Sequence, residues 1–206
     1  MSSEKIRAIN EENKNLYRLL SKNTGENISS ISDVETLHNT LEAEKSAGWN
    51  LPDWTENLFP EKTLPLAERY LLLLTETAFM KRIKGGPLIT EIIDTMYNRK
   101  FKASDRTITI YSGHDVTLVS VMNAMNIIDQ TTSKPDFSAA LAIELHQSLD
   151  HEDEMDVKVY YYFNSEDKYP KVISVPGCDS PCRFEKFRFA MNAVKVIDYE
   201  KLCETV

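Results

Sequence analysis

The stretch "TITIYSGHDVTLVSVM", residues 107–122, decides how the chain is read. Its first five residues are β-branched or aromatic, and "RTITIYS" (106–112) has the composition of a short strand. Ser112-Gly113 is a turn signal, and a His-Asp pair, His114-Asp115, then opens what reads as a helix. A strand feeding a tight turn and a helix puts the turn at the carboxyl end of a sheet, where ligands bind in open α/β folds. The helix N-terminus adds unpaired amides and a partial positive charge, which favour an anion. Gly113 lets the backbone turn closely, a protonated His114 could contact a phosphate oxygen, and a protonated Asp115 could hand its proton to a leaving group. Ordinary turn and cap chemistry would use the same letters, so both readings stand at this point. A serine triad of Ser112, His114 and Asp115 is excluded, because residues so close in sequence cannot line up nucleophile, base and orienting carboxylate.

Upstream, the chain is helical. "LPLAERYLLLLTETAFMKRI" (64–83) is apolar on nearly every side, which predicts a buried helix. "KGGP" (84–87) reads as a turn with Pro87 at the first position of the next helix, "PLITEIIDTMYNRK". A Gly-rich loop with Lys84 could hold phosphate, but a helix-to-helix turn explains the same residues at less cost and is preferred. Nearer the start, Ile6, Ile9, Leu16, Leu19 and Leu20 recur at helical spacing over residues 3–22, and Asn23-Thr24-Gly25 breaks the pattern. The next helix, from 31 to 48, is expected to start with Ser32 as N-cap and Glu35 closing a capping box. Residues 50–65 carry three prolines and read as an ordered but irregular connection.

Downstream, "ALAIELHQ" (140–147), "VKVYYYF" (157–163) and "KVISV" (171–175) read as strands joined by hairpin loops. Tyr160, Tyr161 and Tyr162 fit a strand with one buried face. His38, in a helical polar stretch, is expected to face solvent or pack at an edge. His146 and His151 flank Glu152, Asp153 and Glu154, a run that could hold a hard cation weakly, although a solvated hairpin is the preferred account. The expected organisation is therefore a helical segment over 1–84 followed, over 85–206, by part of an α/β layer structure.

Composition narrows the function. With 206 residues, 42% hydrophobic, the chain can bury a full core, and its net charge of −8 excludes a basic footprint for nucleic acid or anionic membrane. No apolar run, such as Leu71–Leu74, is long enough to span a bilayer, and the charged residues 1–15 lack the apolar stretch of a signal peptide. Of three cysteines, Cys178 and Cys182 sit four apart in "PGCDSPC". A small disulfide loop, a metal site short of ligands and a pair of reduced thiols are all compatible with that spacing, and Cys203 is left over.

Several landmarks in order carry a family resemblance. "YSGHDVTLVSVMNAMNI" resembles the His-Asp segment of the histidine acid phosphatases, the branch of the lysosomal, prostatic and insect venom enzymes. The helix-turn-helix of residues 64–96, the Pro-Gly-Cys stretch "YPKVISVPGCDSPCRFEKF" and the closing "LCETV" resemble the same family. The resemblance implies the C-terminal part of a histidine-phosphatase-like α/β sheet domain plus a smaller helical domain. It implies hydrolysis of phosphate monoesters, small molecules or phosphopeptides, at acidic pH through a phosphohistidine. Asp115 would be the general acid and His114 would contact the phosphoryl group. Cys178 and Cys182 would form the family's short disulfide, and Cys203 would pair with an upstream cysteine. Neither metal nor cofactor is implied, a homo-oligomer is allowed, and intact members would be secreted or lysosomal. The family's nucleophile lies in an N-terminal Arg-His-Gly-x-Arg-x-Pro motif. The four histidines here stand instead in "LHN", "GHD", "LHQ" and "DHE". The expectation is a fragment bearing the His-Asp half of the site and inactive alone. The alternative is a short non-catalytic product that binds phosphate or a partner.

Overall fold

The computed structural model describes residues 4–101, 103–148 and 153–204. The chain divides into two compact units, Met1–Tyr70 and Leu71–Val206.

The first unit opens with helices α1 (Glu4–Glu12), α2 (Lys14–Thr24) and α3 (Ile31–Ser46). The single helix expected over 3–22 breaks at Asn13, whose side-chain amide donates back to the Ile9 carbonyl at 2.8 Å and competes with the helical ladder. Gly25, at φ +78°, closes α2 with its N–H on the Ser21 carbonyl, a left-handed cap that glycine adopts without steric cost. The capping box of α3 lies two residues earlier than expected. Ser30 Oγ accepts from the Asp33 amide at 3.2 Å, while Asp33 Oδ2 accepts from the Ser30 amide at 2.9 Å. Burial pushes the Asp33 carboxyl up, but hydrogen bonds from Ser29 and Ser30 outweigh it and hold the group below its ordinary value. Helical spacing then places His38 on one stripe with Ile31, Val34 and Leu41. The histidine is buried, not solvent-facing. Its Nδ1 lies 2.8 Å from Thr63 Oγ1 and its ring 5.1 Å from that of Phe59. The proline-rich connection is irregular, with one 3-10 turn at Asp53–Thr55.

Helix α4 (Leu64–Leu73) runs across the division, and α5 (Ala78–Lys84) follows. These two replace the single buried helix expected over 64–83. Thr77 interrupts it by capping α5, its Oγ1 accepting from the Met80 amide at 3.1 Å, a role threonine fills better than a helix interior. Helix α6 (Gly86–Lys100) has proline in its first turn. Gly85 and Gly86 form a close-packed turn. A Cβ on Gly85 would stand 2.5 Å from the Ser120 carbonyl oxygen, and one on Gly86 2.2 Å from that of Val194.

After α7 (Asp115–Ala124) come strands β1 (Ala140–Gln147), β2 (Met155–Tyr162) and β3 (Lys171–Ile173), in one antiparallel sheet of that order. Ala140 pairs with Tyr162, and Val159 with Ile173. Val157, Val159 and Tyr161 alternate onto the buried face of β2, against which α8 (Phe184–Ala190) packs. The Tyr161 hydroxyl is buried without a hydrogen-bond partner among the described residues, and burial pushes the phenol up to about 12. The strand expected over residues 106–112 joins no ladder among the described residues. Ile108 and Ile110 are 74% and 85% exposed. The β-branched pattern is present, but no strand among the described residues completes its hydrogen bonds.

Cys178 and Cys182 are joined by a disulfide. Cys203, in the short helix α9 (Tyr199–Cys203), is free and exposed. Arg183 ties the disulfide loop to the loop end of the β1–β2 hairpin. Its Nε lies 2.8 Å from Glu154 Oε2 and its Nη1 2.8 Å from Asp156 Oδ1, with Ser148 Oγ a further partner. Glu154 is therefore engaged by a guanidinium. His151 and Glu152, the other half of the acidic run, lie outside the described residues.

Candidate active site

The His-Asp pair sits where an unpaired extended segment turns into α7. Gly113 packs closely in the turn: a Cβ there would stand 3.1–3.2 Å from the Thr117 side chain, which would have to give slightly. His114 is the N-cap, in extended conformation and exposed. Its carbonyl accepts the amides of Thr117 and Leu118 at 3.0 and 3.2 Å, and its own amide donates to Thr117 Oγ1 at 3.3 Å. Asp115 is the first helical residue, where a carboxylate complements the helix dipole. Its Oδ1 accepts the Val116 amide at 2.6 Å.

The rest of α7 is an anchor. Residues Val119 to Ala124 are all buried. Asn123 donates from Nδ2 to the carbonyl and hydroxyl oxygens of buried Thr75, at 3.2 and 2.7 Å. A buried amide held twice fixes the rotation of the helix, and with it the direction of its first turn. The Gly85 turn packs on the same helix at Ser120 and Ala124. The preferred reading of "KGGP" as a helix-to-helix turn matches this packing, since the space a bound group would need is filled by α7 and residues 194–196.

The sequence reading missed Lys134. Its ammonium lies 2.9 Å from Asp115 Oδ2, with side chains 7% and 23% exposed respectively. The loop that delivers it follows a 3-10 turn at Ile128–Gln130. Gln130 is locked to the end of β3 by a reciprocal amide pair, Nε2 to the Ser174 carbonyl at 2.7 Å and the Ser174 amide to Oε1 at 2.9 Å. Thr132 Oγ1 accepts the Lys134 amide at 3.2 Å and donates to its carbonyl at 3.3 Å. No sequence signal marks this residue. "TTSKPD" reads as an ordinary polar turn. Among the described residues, the other two histidines are not brought here. His146 pairs with Glu144 at 2.7 Å on β1, and His38 belongs to the first unit.

A positive helix end, a carboxylate and a buried ammonium can bind an oxyanion and move a proton beside it. The model of the histidine phosphatase superfamily, branch 2, matches residues 7–162, the whole of α7 and its approaches included. The chain belongs to that family. Its relatives include the venom acid phosphatase Acph-1 of Apis mellifera, 29% identical over 194 residues, covering 92% of this chain and 48% of the relative. Human lysosomal acid phosphatase is 26% identical over 201 residues, covering 95% and 46%, and rat prostatic acid phosphatase 28% over 171 residues, covering 81% and 43%. This histidine phosphatase chain thus spans about half the length of the curated relatives it matches.

Proposed function

We propose that the chain carries the His-Asp half of an acid phosphatase site, acting on phosphate monoesters. The observation that supports this best is the placement of His114-Asp115 at the start of a buried, fully anchored helix within the family match. In this reading the chain is the C-terminal part of an α/β phosphatase domain with a smaller helical segment. The intact protein would be secreted or lysosomal, as its relatives' names describe them.

His114 contacts the phosphoryl oxygens, and the positive end of the α7 dipole meets the same charge. As the P–O bond to the leaving group breaks, the departing oxygen takes the proton of Asp115. The phosphoryl group passes to a histidine nucleophile. None of the four histidines here stands in an Arg-His-Gly context, so the nucleophile comes from outside these 206 residues. Without that half, the same geometry supports a second reading, a non-catalytic phosphate-binding or interaction protein.

The test joins the chain to a segment bearing the Arg-His-Gly-x-Arg-x-Pro motif and compares alkyl with nitrophenyl phosphates. Asp115→Ala should cut turnover of alkyl esters by about 10²–10⁴-fold and that of the activated aryl ester far less. Equal loss on both would remove the general-acid role. Absence of turnover in the joined protein with Asp115 intact would favour the binding reading.

A further inference from the structure

We propose that Lys134 is the positioning residue of this site: it holds Asp115 in place and, once the carboxyl has given up its proton, cancels the charge left there, so that a phosphate group can sit at the start of α7. The inference rests on the phosphatase reading above and adds to it a residue from a different part of the chain.

A carboxylate is a poor neighbour for a phosphate anion. Asp115 stands at the first position of α7, where an oxyanion drawn by the helix end would arrive, and an uncompensated negative charge there repels it. Lys134 removes that obstacle. Its ammonium is 2.9 Å from Oδ2, and only 7% of its side chain is exposed. An ordinary surface lysine keeps its ammonium in water and its rotamers free. This one is committed. The Thr132 hydroxyl fixes its backbone, Pro135 behind it is buried, and the Gln130–Ser174 pair ties the loop to the sheet.

The pair also fits the proposed chemistry. Donation leaves Asp115 as a carboxylate: the P–O bond breaks, and the alcohol oxygen carries away the proton. An ammonium 2.9 Å from Oδ2 is placed to pair with the carboxylate that the transfer leaves behind. Lys134 therefore receives the conjugate base in place and keeps Oδ2 from swinging toward the phosphoryl group.

The experiment is a titration of the full 206-residue chain, labelled with ¹⁵N, with inorganic phosphate, following the amides of His114, Val116 and Thr117. The native chain should show saturable shifts at these amides. Lys134→Met should weaken phosphate binding about tenfold, and Lys134→Arg should keep it within about threefold, since the charge is retained. Adding Asp115→Asn to Lys134→Met should recover most of the loss, because the charge to be cancelled has gone. Should Lys134→Met lose the dispersed spectrum of the folded chain, Lys134→Gln carries the same comparison. Native-like binding by the neutral Lys134 variants overturns the inference and leaves the phosphatase reading standing. So does failure of Asp115→Asn to rescue, which would make Lys134 a purely structural residue. A native chain whose α7 amides ignore phosphate overturns the phosphate half-site and the inference together.

Discussion

Replacing Gly85 by alanine tests whether the turn beneath α7 exists for packing. At φ −96° and ψ −29° the residue is in the right-handed region, so alanine adopts its backbone without strain. The consequence is steric. The new Cβ would stand 2.5 Å from the Ser120 carbonyl oxygen, 2.6 Å from Ala124 Cβ and 3.1 Å from the Ser120 carbonyl carbon. Two of those atoms are backbone in the middle of a helix, and Asn123, hydrogen-bonded to Thr75, holds the same helix in place. The turn must therefore move away from α7 and open a gap. Overpacking of this kind costs about 1–3 kcal/mol, and the lower entropy of the unfolded alanine chain offsets about 0.4–1 kcal/mol of it. A net loss of about 1–2 kcal/mol corresponds to a fall in Tm of about 2–8 °C for a chain of this size. Both tryptophans, Trp49 and Trp54, lie in the first unit and not in the unit that holds the turn. Far-UV circular dichroism in urea, with hydrogen exchange on the α7 amides, reports the loss directly. A Gly85→Ala chain as stable as the native one refutes the packing argument. Loss of phosphate binding at undiminished stability would revive the phosphate-loop reading of "KGGP".

Two further outcomes follow from groups outside the site. Arg183→Met should destabilise the chain by about 1–3 kcal/mol, because it strips the guanidinium from an Asp156 carboxylate only 13% exposed. Lysine should restore only part, since it cannot fork to Glu154 and Asp156 together, and an unchanged urea midpoint for Arg183→Met would remove the staple. Burial pushes the phenols of Tyr17 and Tyr161 up to about 12, so the folded chain keeps protons that unfolded tyrosines lose near pH 10. The unfolded state then binds fewer protons between those values. The stability these groups contribute is complete below pH 10 and falls as pH rises toward 12. Absorbance at 295 nm should show late-ionising tyrosines among the nine, and all nine titrating together in folded protein would contradict the burial.

What was legible in the sequence was local. "VKVYYYF" was legible as a strand with one buried face, which proves to be that of Tyr161, and Gly25 stopped α2, because each rests on one residue and its near neighbours. The misplaced box at Ser30–Asp33 shows how little separates two local solutions. Ser30 and Ser32 both precede an acid by three residues, and burial of Ile31 and Val34 decides between them. His38 looked polar by its flanking residues, yet the helical stripe it shares with Val34 and Leu41 carries it inward. Lys134 was out of reach for a different reason. It lies 19 residues from Asp115, and only the Gln130–Ser174 lock and the Thr132 turn bring its ammonium to that carboxylate.

The segment 106–112 makes the same point from the opposite side. Its β-branched alternation is as strong as that of β1 or β2, but a strand is stabilised by its ladder and by the face it covers, neither of which a single stretch encodes. β1 and β2 are joined by a hairpin and find each other within the chain, whereas 106–112 does not. Its exposed Ile108 and Ile110 lead directly into Gly113 and His114. The helix that aims Asp115 is locked by Asn123, Gly85 and Lys134, while the approach to His114 has no hydrogen-bonded neighbour among the described residues. A strand laid against 107–112 would pair with amides and carbonyls that join no ladder among the described residues and fix the angle at which the chain enters α7. That would order His114 without altering the contacts that already hold Asp115.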